Sequence, residues 1–298
     1  MLKYTKYVVA LLIAFFCRAF AQERNIDTAK IEQITQIKGT WNAEEEVFKI
    51  SLPRTDVKVT IDGWEAPPFM GLTSWVAFKK SEDNLLAMGD LVLFEDEVNP
   101  VMSVALQNGL SITALHNHFF YDHPRVFFMH IEGFSDVEKL SSAIAKSFDE
   151  VKKIRSQTLD IPTSFGGPQL PPKSTISQKM IEDILQIKGQ SQDGMVKVTV
   201  GRTTKTEETV GKEMGVNSWA AFAGTDENAV VDGDIAVLED ELENVLMALR
   251  KANINIVAIH NHMIHENPRV LFLHYWGKGP VKTLAESIKL AFGKTGGK

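Results

Sequence analysis

Apolar and polar residues alternate along several short stretches of this chain, and the stretches between them carry apolar residues at helical spacing. Val47-Phe-Lys-Ile-Ser-Leu52 and Val57-Lys-Val-Thr-Ile61 place apolar side chains at every second position, the period of a half-buried strand. An apolar strand is expected around Trp75, another from Leu85 to Phe94, and two more, rich in branched and aromatic residues, from Ser111 to His118 and Arg125 to Ile131. Helices are predicted over Thr28 to Gln36 and over the amphipathic segment Val137 to Ile154. One more helix is predicted with Asn99 as N-cap, Pro100 as first helical residue and Gly109 as stop.

The whole pattern is written twice. Met70-Gly71, Ser74-Trp75 and Ala77-Phe78 return as Met214-Gly215, Ser218-Trp219 and Ala221-Phe222, an offset of 144. The same offset carries Gly89-Asp90 to Gly233-Asp234, Glu95-Asp96-Glu97 to Glu239-Asp240-Glu241, and His116-Asn117-His118 to His260-Asn261-His262. It also relates Pro124-Arg125 to Pro268-Arg269 and His130 to His274. Upstream, Ile37-Lys38-Gly39 matches Ile187-Lys188-Gly189 at an offset of 150, so about six extra residues stand in the first copy near Asp62 to Pro68. The second copy repeats the elements as helix 178–186, strand 229–238 and helix 281–292, with Asn253 at the position of Gly109.

Each copy therefore reads as β-β-β-β-α-β-β-α behind a short helix. The expected fold class is α+β: two tandem units related by a pseudo-twofold, each a mostly antiparallel sheet with helices on one face. The Pro/Gly-rich segment 156–176 reads as a semi-rigid linker between repeats spanning 22–155 and 177–298.

The N-terminus changes the picture of where the protein works. A basic start, the apolar run Val8 to Phe16 and Ala19-Phe20-Ala21 form a secretory signal peptide over residues 1–21, cleaved after Ala21. Export to the periplasm or beyond is expected, with no transmembrane segment in the mature chain. Bulky Phe16 and Arg18 disfavour lipid attachment at Cys17, and cleavage removes this single cysteine, so thiol chemistry and Cys-type zinc sites are excluded. Hydrophobic residues make up 44% of the chain and charged residues 23%, which suits a globular protein. A net charge of -6 with scattered Lys and Arg offers no basic stripe for nucleic acid. No nucleotide-cofactor motif is present either.

Candidate chemistry lies in the histidines. All 8 fall within 116–130 and 260–274. On a strand, residues i and i+2 share a face, so His116 and His118 project together, as do His260 and His262. Neutral imidazoles suit zinc, copper, nickel or iron. His130 and His274 return on the next strand, and hairpin register decides whether they join: pairing 116 with 130 aligns them, and a slip of one residue puts His130 on the opposite face. The bland alternative is a set of polar residues on the wet side of a sheet. Against it, the His-x-His pair and the third histidine recur in both copies while Phe119-Phe-Tyr121 drifts to Met263-Ile-His265. His123 and His265 occupy different positions and are not a shared ligand.

Carboxylates that can serve as general base or further ligands are Glu97, Glu241, Asp122 and Glu266. For Glu97 and Glu241 the competing role is that of acids complementing a helix N-terminus. Arg54, Arg125, Arg202 and Arg269 can grip an anionic ligand, a carboxylate or phosphate. Trp75 and Trp219 are expected in the core.

Pro53-Arg54-Thr55-Asp56, Gly71-Leu-Thr-Ser-Trp75, Met88-Gly89-Asp90, Glu95-Asp-Glu97-Val-Asn-Pro100 and His116-Asn-His118 with Pro124-Arg125 and His130 resemble the LppY/LpqO family. These are bacterial, often exported proteins with a domain of unknown function. The resemblance covers nearly all of the mature chain and implies export and two copies, and it carries no activity over. Copy two departs from the pattern at Gly201 and Thr204, where copy one has Pro53 and Asp56. The leading expectation is a transition-metal protein, with zinc among the candidates and His116, His118, His130, His260, His262 and His274 as ligands. As an enzyme it would be a metal-dependent hydrolase. The alternatives are a metal-free binding protein for an anionic or sugar-like small molecule, and a structural envelope module.

Overall fold

The predicted alternation materialises in one sheet rather than two. In the computed structural model, which describes residues 26–158 and 160–296, the first repeat contains α1 (Thr28–Thr35), β1 (Gly39–Asn42), β2 (Val47–Pro53), β3 (Thr60–Ile61), β4 (Trp64–Glu65), β5 (Thr73–Ser81) and β6 (Asn84–Phe94). It continues with α2 (Glu95–Gln107), β7 (Ser111–His116), β8 (Asp122–His123), β9 (Val126–Ser135) and α3 (Val137–Gln157). The second repeat opens with α4 (Gln178–Leu185), β10 (Gly189–Gln192), β11 (Met195–Gly201), β12 (Thr204–Lys205), β13 (Thr209–Val210), β14 (Asn217–Gly224) and β15 (Ala229–Leu238). It closes with α5 (Leu242–Lys251), β16 (Asn255–His260), β17 (Val270–Gly279) and α6 (Val281–Phe292). The signal peptide and Cys17 lie outside the described residues, and no described helix is long and apolar enough to cross a membrane.

The fold is mixed α+β with a mostly antiparallel sheet, as expected. Twelve strands run in the order β1-β2-β5-β6-β9-β7-β16-β17-β15-β14-β11-β10, each antiparallel to its neighbours and each repeat supplying six. The two half-sheets join at β7 and β16, where Leu115 pairs with Ile259. Helices cover one face. Val76, Phe78, Leu91, Leu93, Leu115 and Ile131, with Ala220, Phe222, Ile235, Ile259 and Tyr275, pack beneath them in a single core that crosses the seam. The opposite face is left to small flaps: a three-stranded sheet of β4, β3 and β8 over the first repeat, and the β12–β13 ribbon over the second.

Five expectations are corrected. Val57 to Ile61 is not a main-sheet strand; only Thr60–Ile61 pairs, within the flap, and the extra residues of the first copy form its hairpin. The helix after β6 begins at Glu95, because Glu97 Oε2 accepts from the Phe94 N–H at 2.9 Å and so caps the first turn; Pro100 lies inside the helix. Trp75 and Trp219 are half-buried on the open face, since strand alternation gives the helical face to Val76 and Phe78, and Lys49 and Lys197 sit over their rings at 4.2 and 4.0 Å. The strand Ser111 to His118 ends at His116. The expected linker is also shorter at its start, since α3 runs through Gln157.

Asn99, freed from capping, stitches the repeats together. Its side chain donates to Ile256 O at 3.1 Å and accepts from Ile256 N at 2.7 Å, taking the place of a neighbouring strand where β7 has already ended. Replacing Asn99 with Ala leaves both backbone groups of Ile256 unpaired, and a loss of about 1–3 kcal/mol in urea unfolding is expected. An unchanged midpoint would show that this link carries no stability.

Candidate metal centres

Cross-strand register places corresponding aspartate and histidine positions of both repeats on the open face. Asp90 on β6 pairs with His130 on β9, and His130 pairs with Ala114 on β7, two residues before His116. His116 and His130 therefore share a face through a two-residue offset, with His116 opposite Phe128. In the second repeat Asp234 pairs with His274 and His274 with Ala258, two residues before His260. The small hydrogen of Gly89 precedes Asp90 for a reason: a Cβ there would meet Trp75 O at 2.7 Å.

The side chains converge. His130 Nε2 lies 3.0 Å from His116 Nε2, and the His116 and His118 rings stack at 5.1 Å. Although the strand has ended, His118 stays beside the cluster because it lies flat on Phe128, with ring centroids 3.4 Å apart. His262 repeats this on Phe272 at 3.5 Å, and its Nε2 is 3.6 Å from Asp234 Oδ2. Asn117 points away and donates to Val126 O at 2.7 Å, holding the turn. Donor atoms of Asp234, His260 and His274 all lie within 4.8 Å of one another, close enough to hold one metal ion.

Electrostatics distinguishes these groups from ordinary surface polar residues. Asp90 and Asp234 are 8% and 3% exposed, and in each the Oδ1 atom is buried without a hydrogen-bond partner among the described residues; His260 Nε2 is likewise unpartnered. Burial pushes the Asp234 carboxyl up to about 6, against the pull of His274. Burial holds the imidazoles of His118, His260 and His262 below the usual histidine range, so they are neutral at pH 7, the form that ligates a metal. An orphaned carboxylate beside neutral imidazoles is costly without a cation.

Asp90 and Asp234 are not among the site residues that the sequence pattern suggests. Their signal was present: Gly-Asp recurs in both copies, and each acid interrupts a strand that is otherwise nearly all apolar.

The other candidates lie elsewhere. Glu97 is fully buried; Arg54 donates to its two oxygens at 2.7 and 2.8 Å, and Arg155 approaches to 3.0 Å. Arg54, also buried, further grips Asp56 and the Val92 carbonyl. Arg202 and Glu241 repeat the pair at 2.5 and 2.7 Å. These four residues form structural latches, which leaves neither the bases nor the arginines free. Asp122 Oδ2 accepts from Val126 N at 2.6 Å and Glu266 Oε1 from Val270 N at 3.2 Å, so both acids close the turn before β9 or β17. Arg125 is exposed, and Arg269 faces Glu239 at 3.6 Å in solvent.

The family described as Domain of Unknown Function (DUF1259) matches the chain twice, over residues 29–150 and 179–294. The chain belongs to this family. No curated protein and no solved structure matches it. Each DUF1259 match contains a complete Asp/His set and its Arg–Glu latch, so the duplication carried the candidate centre and its support together.

The Glu241 latch makes a pH prediction. Arg202 and the backbone N–H groups of Leu238 and Gly296 hold the carboxyl down at about 2, against the effect of burial, whereas in the unfolded chain it titrates near 4.5. The ionised latch thus stabilises fully above pH 4.5, and this contribution fades as pH falls towards 2. Glu241→Gln should unfold more readily than wild type at pH 7, with the gap narrowing through that acid window. A gap independent of pH would refute the assignment.

Proposed function

We propose that this chain is an exported bacterial protein of the LppY/LpqO type whose two repeats each hold a transition-metal ion, zinc foremost. Asp90, His116 and His130 would form one ligand set, and Asp234, His260 and His274 the other, with His118 and His262 adjacent. The observation that carries this reading is the second cluster, three donors within 4.8 Å that include a buried carboxylate oxygen and an imidazole nitrogen without partners. A bound divalent ion would supply the missing positive charge and act as a Lewis acid. Export rests on the basic, apolar and Ala-x-Ala segments ahead of Gln22.

Metal binding is favoured over metal-dependent hydrolysis. The four carboxylates named as bases are engaged in latches and turns, and the acids at the clusters are Asp90 and Asp234 themselves. The reading of a binding protein for an anionic or sugar-like ligand draws its support from a cleft at the seam.

The test is metal analysis of the chain from Gln22 onward, made without a histidine tag and equilibrated with zinc, copper, nickel or iron. Two ions per chain are expected, falling to one in His116→Ala/His130→Ala and to none when His260→Ala/His274→Ala is added. Metal at a hundred times its dissociation constant should add about 2.7 kcal/mol to wild-type stability for each independent site. No bound metal and no stabilisation by any of the four ions would overturn the proposal.

A further inference from the structure

The repeats are not equivalent at the seam. A cleft of about 840 Å³ opens where β16 begins, with linker residues Pro162 to Phe165 along one side. Phe127, Val257 and Trp276 give it apolar walls, Arg125 and Arg250 line it, and His274 of the second centre is on its wall. The offset of 144 puts Leu106, buried in the core, at the position of Arg250, and Glu132 at that of Trp276. These two residues have diverged between copies that share the Asp/His clusters.

Arg250 is the unusual member. Its Nε donates to Ser103 Oγ at 3.0 Å, and Nη1 donates to Ile254 O at 2.6 Å and Asn255 Oδ1 at 3.3 Å. All three acceptors are uncharged, and burial alone pushes the guanidinium down to about 10. Of the acids along the cleft, Asp96 is bonded to Arg155, while Glu95 and Asp232 are exposed. Among the described residues this partly buried guanidinium has no counter-ion, and facing an apolar cleft it is a binding position for a carboxylate or phosphate.

We propose that the cleft binds one small organic anion, its carboxylate or phosphate on Arg250 and its apolar body against Phe127, Val257 and Trp276. The volume suits such a ligand. Exposed Arg125 draws the anion in, and His274 brings the bound ligand beside the second Asp/His cluster. The site stands on Arg250 and the cleft walls, so it holds whether or not the clusters take metal.

Calorimetry with 4-phenylbutyrate, phenyl phosphate and neutral 4-phenylbutanol tests it, on protein treated with EDTA and on protein loaded with zinc. One saturable site for an anion is expected in both preparations, with the alcohol weaker by about tenfold or more. The tighter of the two anions identifies the head group. Arg250→Leu should weaken the anion by a similar factor and leave the alcohol unchanged, and Val257→Trp should block both ligands. If Arg250→Leu does not fold, Val257→Trp and the comparison with the alcohol decide. Anion binding confined to zinc-loaded protein would place the ligand on the metal and overturn the assignment. So would alcohol bound as tightly as the anions, affinities unchanged by the variants, or no anion binding at all.

Discussion

The pairing of β7 with β16 is the constraint on which the rest depends. Leu115 opposite Ile259 sets an antiparallel register, which puts Ala114 opposite His260 and His116 opposite Ala258. Two rows then run across the sheet on its open face. One contains Asp90, His130, Ala114 and His260; the other contains His116, Ala258, His274 and Asp234. The pseudo-twofold passes between them, so both clusters face the same way over a floor of two alanines. A seam slipped by one residue would turn His260 and His274 towards the helices.

The open face can hold buried polar groups because other parts of the structure stabilise it. The helical face carries a continuous core, while the flaps shelter Val92, Phe94, Val126 and Phe128 in the first repeat and Ala236, Val270 and Phe272 in the second. Phe128 and Phe272 serve twice, closing these small cores and providing the surfaces on which His118 and His262 lie. The Arg54–Glu97–Arg155 network fastens β2, α2 and α3, and removing one partner of such a buried pair typically costs about 3–5 kcal/mol. The arginines and glutamates that recur with the histidines therefore share their repeats without sharing their chemistry.

Local pattern made much of this visible beforehand. Strand alternation located β2, apolar runs located β6 and β15, and helical spacing located the helix Val281–Phe292; Asn253 at φ 58 caps α5 where Gly109 at φ 81 follows α2. What the sequence hid was long-range. The β7–β16 pairing brings together segments separated by a whole repeat, and no local period encodes it. Asn99-Pro100 imitates a helix start, yet Asn99 is committed to Ile256, 157 residues away. Asp90 looked like one acid among many until the sheet placed it opposite His130. The histidine motif was legible as a cluster, and its carboxylate became visible only through register.

Two centres flanking one seam make a distance claim. Their midpoints, on β9 and β17, are separated by three strand spacings, about 14 Å. Loading the chain with two equivalents of Cu(II) and recording its EPR spectrum at low temperature tests the arrangement directly. The account predicts dipolar broadening that corresponds to about 14 Å between the two ions, abolished when either Asp90→Asn/His130→Ala or Asp234→Asn/His274→Ala empties one centre. Two bound copper ions with unbroadened, magnetically isolated spectra would contradict it.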